Sequence, residues 1–156
     1  MNKTTQLKKL LLQRKALPCP GVYDALSARM VEYCGFQACQ ISGFGVSASS
    51  LGMTDASFTS LEEIVRITSN IVRAVDIPVM TDADTGYGNA VNVWWTTKRL
   101  EETGAAGMNL EDQCFPKRCG HMAGKQLISL GEMVGKIRAA VDAKRDPDFV
   151  INARTD

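Results

Sequence analysis

The chain has 156 residues, 45% of them hydrophobic, with 18 Lys and Arg against 17 Asp and Glu and a formal net charge of +1. That length supports one hydrophobic core, and the near-neutral charge gives no electrostatic reason to expect nucleic acid or an anionic membrane as partner. No apolar run approaches the ~20 residues of a membrane-spanning helix.

Met1 to Lys15 mixes leucines and lysines at helical spacing and has no small-residue cleavage site, so it does not read as a signal peptide. Five cysteines without a CxxC pair fit reduced thiols in a cytoplasmic protein better than a disulfide framework. Leu17 to Tyr23 reads as a first strand. Asp24 then caps a helix with Leu26, Met30 and Tyr33 on one face, ended by Gly35. Gln37 to Ile41 reads as a second strand, followed by a Gly/Ser-rich connection from Ser42 to about Thr59. Ser60 and Glu63 form a capping box for a helix carrying Ile64, Ile67, Ile71 and Val75. Ile77 to Met80 is a buried third strand running into Asp82 and Asp84, and the next helix extends from Asn89 to Gly104. Gly107 to Leu110 is a fourth strand ending in Glu111 and Asp112. Ser129 and Glu132 form a second capping box for a helix with Met133, Ile137 and Val141. Phe149 to Asn152 is a fifth strand, followed by Arg154 and Asp156.

Apolar strands alternating with helices predict an α/β fold with a parallel, helix-covered sheet. The chain lacks GxGxxG and GxxxxGK[ST], which counts against a nucleotide-binding doubly wound sheet. Ser42, Asp82, Asp84, Glu111, Arg154 and Asp156 all fall at or just past strand C-terminal ends, the face where a (β/α)₈ barrel builds its site. Eight βα units take ~250 residues, so residues 1–156 read as the N-terminal portion of a single barrel domain, covering about five strands of a longer chain. Closure by a second copy, or an inactive half-barrel, is the alternative.

Three acids at one face, Asp82, Asp84 and Glu111, repel one another unless a cation neutralises them. Oxygen ligands favour Mg²⁺ or Mn²⁺. A network with Arg154 or Lys117 fits the same pattern. Glycine-rich turns at Ser42-Gly43-Phe44-Gly45 and Thr85-Gly86-Tyr87-Gly88-Asn89 suit close backbone approach to an anion or an ordinary tight loop. In Lys117-Arg118-Cys119-Gly120-His121, two cations and the only histidine flank a thiol, which favours acid/base reactivity. Zinc held by Cys114, Cys119 and His121 competes but lacks a fourth ligand.

With these motifs the chain resembles the isocitrate lyase/phosphoenolpyruvate mutase superfamily, in its 2-methylisocitrate lyase-like branch. The resemblance runs from about Pro20 to Asp156 and rests on Ser42-Gly43-Phe44, Leu51 to Asp55, Thr81 to Gly88, Glu111-Asp112-Gln113, Lys117 to His121 and Asn152 to Asp156. It implies a (β/α)₈ barrel, a homotetramer, and Mg²⁺ near Asp55, Asp82, Asp84 and Glu111. It implies substrate contact by Ser42, Gly43, Phe44, Asp82, Cys119, Gly120 and Arg154, with Lys117 and His121 on a gating loop. It also implies a Mg²⁺-dependent carbon–carbon lyase that cleaves a small 2-hydroxy di- or tricarboxylate to a 2-oxo acid, with Cys119 as general acid. Phosphonate-forming mutases of this superfamily typically lack that cysteine; phosphonopyruvate or phosphoenolpyruvate P–C chemistry is the alternative. Where the 2-methylisocitrate and isocitrate lyases usually have Tyr, two residues before the Ser-Gly pair, this chain has Gln40, which cannot serve as a base.

Overall fold

In the computed structural model, which describes residues 2–13 and 15–155, five parallel strands lie side by side in the order in which they occur along the chain. They are β1 (Gly21–Val22), β2 (Cys39–Ile41), β3 (Val79–Asp82), β4 (Gly107–Glu111) and β5 (Val150–Arg154). A doubly wound sheet reverses strand order at a switch point. This one never does, and it has the connectivity of a barrel arc. The helices are α1 (Lys3–Leu11), α2 (Ala25–Tyr33), α3 (Gly43–Leu51), α4 (Leu61–Ala74), α5 (Ala90–Glu101) and α6 (Leu130–Ala143). None of the described helices is long and apolar enough to cross a membrane.

Local signals set the helix starts. Asp24 accepts the Ser27 N–H, Ser60 forms a full box with Glu63, Asn89 accepts the Val91 N–H, and Ser129 accepts that of Glu132. Ile64, Ile67 and Ile71 on α4 pack with Val79, Met108, Leu110 and Phe149 of the sheet side in one continuous core. The β4–β5 ladder is the longest, running from Gly107↔Val150 to Glu111↔Arg154. It carries Glu111 and Arg154 side by side to the C-terminal rim.

Four expectations need correction. The predicted connection from Ser42 to Thr59 contains α3: Ser42 caps it by accepting the Gly45 N–H, Val46 and Ser47 are buried, and Gly52 closes it at φ 64°. Gly and Ser are weak helix formers, so composition hid a helix that its cap and burial hold. The first strand shrinks from Leu17–Tyr23 to two residues, because Pro18 and Pro20 have no N–H to give a ladder. The third strand lies two residues further on than expected and includes Asp82. On α2, Leu26, Met30 and Tyr33 are exposed and the small Ala28 is the buried residue. Asp156 lies outside the described residues.

Gly107 admits no side chain: a Cβ there would come 2.6 Å from the Val150 carbonyl oxygen and 2.7 Å from Met80 Sδ. Gly107→Ala should therefore cost about 1–3 kcal/mol, read as a lower urea midpoint. An unchanged midpoint would show that β4 and β5 can separate at no cost.

Candidate active site

The strand rims bring the predicted residues to one place. A cavity of about 220 Å³ is lined by Ser42, Gly43, Phe44, Asp82, Cys119, Gly120 and Arg154, all seven residues assigned to substrate, together with Gln40, Asp55 and His121. Cys19, Gly21 and Ile41 also line it, and nothing in their residue types marked them beforehand.

Gly43 shows how the sheet shapes this cavity. Its N–H donates to Asp82 Oδ2 at 3.0 Å, and a Cβ at Gly43 would collide with that same oxygen. Only glycine lets the start of α3 approach the carboxylate so closely. Asp82 Oδ1 accepts the Asp84 N–H at 2.8 Å, holding the turn in which Asp84 takes φ 51°. A non-glycine residue in this region costs energy that the surroundings must supply. Here they do so through the Thr85 N–H and the Ser57 hydroxyl, both donating to the Asp84 carboxylate. The Thr85–Asn89 turn does not line the cavity. Its Gly86 packs on Val93 and Leu110, so the ordinary-loop reading applies there.

Behind the cavity wall Lys117, 5% exposed, is buried among acids. Its Nζ lies 3.2 Å from Asp55, 3.4 Å from Asp84 and 3.5 Å from Glu111. Arg154 reaches Glu111 at 3.4 Å. The salt-bridge alternative to a bare carboxylate trio is therefore realised. Among the described residues no three His, Cys, Asp or Glu side chains form a group that could hold a metal ion as they stand, zinc at Cys114, Cys119 and His121 included.

The charges nevertheless do not balance. Burial alone would push Lys117 down, but Asp82, Asp84, Glu111 and Asp55 outweigh it and hold the ammonium above the ordinary lysine range. Burial pushes Asp84 up despite Lys117, and pushes Glu111 up to about 7 despite Lys117 and Arg154. For both acids burial comes first and neighbouring carboxylates add to it. Four carboxylates, Asp55, Asp82, Asp84 and Glu111, face two cations, Lys117 and Arg154, a formal shortfall of two positive charges. An all-oxygen donor set with a deficit of two fits a divalent hard cation.

Cys119 is buried, with Sγ 3.5 Å from His121 Nδ1. His121 also meets the Phe44 ring edge-on, centroids 6.5 Å apart, and thereby joins the loop to the start of α3. The expectation that both flanking cations act on the thiol needs correction. Lys117 points into the acidic cluster, and Arg118 Nη1 donates to the Ala123 carbonyl. The physical reason is that successive side chains of this extended loop diverge, so neighbours in sequence are not neighbours in space.

The family model described as phosphoenolpyruvate phosphomutase matches residues 7–156. The chain belongs to this family. Over 156 residues it is 47% identical to a 2,3-dimethylmalate lyase of Eubacterium barkeri, covering 100% of this chain and 54% of the relative. A 2-methylisocitrate lyase of Aeropyrum pernix is 47% identical over 150 residues, 96% of this chain and 48% of the relative. A phosphonopyruvate hydrolase solved with oxalate and Mg²⁺ superposes with a TM-score of 0.91 at 35% identity, over 99% of this chain and 53% of its own. The chain thus spans about half the length of the curated relatives it matches.

Lys117→Met leaves the buried acids without their central cation and should destabilise the metal-free protein by about 3–5 kcal/mol, read by urea unfolding; a loss below 1 kcal/mol would mean the ion pairs are not maintained in solution. In the same metal-free protein, folded Glu111 keeps its proton up to about pH 7 whereas the unfolded chain releases it near 4.5. Stability should therefore fall as pH rises from about 4.5 to about 7 and level off above. Glu111→Gln should flatten that slope, and an unaltered slope would exclude Glu111 as its source.

Proposed function

We propose that the full-length protein is a Mg²⁺-dependent carbon–carbon lyase that cleaves a small 2-hydroxy di- or tricarboxylate, of 2,3-dimethylmalate or 2-methylisocitrate type, to a 2-oxo acid and a second carboxylate. One observation carries the reading: a buried thiol, Cys119, shares a small polar cavity with Asp82 and Arg154. The Ser42 hydroxyl and the Arg154 guanidinium on the cavity wall suit an acid. Asp55 and Asp82, which line the cavity, and Asp84 and Glu111 behind it would hold the cation, some of them through water. When bound, Mg²⁺ supplies electrostatic stabilisation of developing negative charge.

The chain's own groups account for the remaining steps. Arg154 presents its guanidinium to a substrate carboxylate. The substrate hydroxyl gives its proton to a carboxylate on the acidic side of the cavity, its oxygen becomes the carbonyl of the 2-oxo acid as the adjacent C–C bond breaks, and the bonding pair remains on the carboxylate-bearing fragment. The Cys119 Sγ–H then gives its proton to that carbon, leaving a thiolate beside His121. Gln40, at the position where the 2-methylisocitrate and isocitrate lyases usually have Tyr, lines the cavity and takes no proton. It acts in this scheme as a wall residue that selects the substrate. The loop bearing Cys119 works as the lid that keeps water from the carbanion.

The same reading takes residues 1–156 as the front part of a (β/α)₈ barrel, in support of which β1 and β5 are the outer strands of the sheet and the relatives are about twice as long. It further takes the assembly as a homotetramer and the compartment as cytoplasmic, in keeping with five free thiols. Intact mass of the natural protein tests the barrel reading, and light scattering tests the tetramer.

P–C bond chemistry is a second reading, favoured by the likeness to phosphonopyruvate hydrolase. The deciding measurement is product analysis with Mg²⁺ on 2,3-dimethylmalate, 2-methylisocitrate and phosphonopyruvate, the last followed by phosphorus NMR. A 2-oxo acid should form from one of the hydroxy acids, and Cys119→Ser should lower kcat by about 10²–10⁴-fold. Full turnover by that variant would remove the thiol from the mechanism.

A further inference from the structure

Gln113 is 1% exposed and sits two residues beyond the end of β4. Its carboxamide does two things. Nε2 donates to the Arg118 carbonyl at 3.0 Å while Oε1 accepts the Arg118 N–H at 3.1 Å. The side chain thus pairs with both polar groups of a single residue, as a neighbouring strand would. Nε2 also donates to Glu111 Oε1 at 3.2 Å, the oxygen that Lys117 Nζ approaches. Backbone bonds anchor Gln113 itself: Cys114 N donates to Gln126 O at 2.7 Å and Ile128 N to Asp112 O at 2.9 Å, on either side of a Gln113↔Leu127 bridge.

We propose that Gln113 is a positioning residue that sets how far Cys119 enters the cavity and fixes the acceptor oxygen of Glu111. The residue it grips, Arg118, is covalently next to Cys119, and the residue before that, Lys117, is tied to Glu111. The thiol is therefore held through two consecutive residues, both referenced to the end of β4. Only a primary amide of this length offers a donor and an acceptor to the backbone of one residue while donating to a carboxylate. Glutamate at this position would lose the donors and add a like charge beside Glu111. The kinetic arm rests on the lyase reading; the thiol arm does not.

The test uses the full-length protein and the Gln113→Ala and Gln113→Glu variants. Iodoacetamide alkylation is followed cysteine by cysteine by peptide mass mapping, and steady-state kinetics are measured on whichever hydroxy acid the wild type cleaves. Loss of the grip should speed Cys119 alkylation by about tenfold with the other cysteines unchanged. It should lower kcat by about 100-fold, the cost of displacing a reacting group by an ångström, with KM within about threefold. Unchanged Cys119 alkylation in both variants overturns the proposal, even if kcat falls, and so does equal acceleration at every cysteine. If one variant fails to fold, the other carries the same readouts. A wild type without lyase activity whose variants still expose Cys119 selectively would retire the lyase reading and leave the positioning role standing. An active wild type matched by its variants in both readouts would do the reverse.

Discussion

Burying acids around one ammonium is the constraint that organises this site. Lys117 meets Asp55, Asp84 and Glu111 within 3.5 Å, each from a different stretch of chain: the loop after α3, the turn after β3, and the end of β4. Coulomb attraction at low dielectric is strong enough to gather them, yet burial takes back much of that gain. The cluster consequently holds the loops together while leaving negative charge uncompensated. Structural cohesion and demand for a cation come from the same side chains.

The sheet makes that arrangement possible. Parallel strands in simple sequential order deliver Ser42, Asp82, Glu111 and Arg154 to one rim, and each following segment can carry a different part of the chemistry. The α3 start supplies a backbone N–H to Asp82, and the long segment after β4 supplies both the neutralising lysine and the thiol. Placing Lys117 and Cys119 two residues apart ties the position of the thiol to the charge balance. The loop cannot lift away without leaving acids exposed.

The fold was largely legible because helix caps and strand polarity are local signals. Ser60, Asn89 and Ser129 each announce a helix, and acids at strand ends announce the rim. α3 escaped notice because glycines and serines resemble a loop until burial of Val46 is known. For the site, the seven cavity residues assigned to substrate were readable from motif resemblance and do come together. The electrostatic environment of Cys119 was not readable, because sequence adjacency says nothing about where the Lys117 and Arg118 side chains point. Gln113 was visible only as part of a motif. Its grip on Arg118 depends on the loop folding back, which residue types alone do not announce.

Gln40 enters the cavity from β2, whereas the acids that face Lys117 sit beyond β2, after β3, and at the end of β4. The cavity lining and the charge cluster are therefore carried largely by different strands, meeting at Asp55, Asp82 and Arg154. A change at Gln40 alters the wall of the cavity and leaves every carboxylate and both cations in place. The shape of the cavity can drift while its electrostatics are conserved.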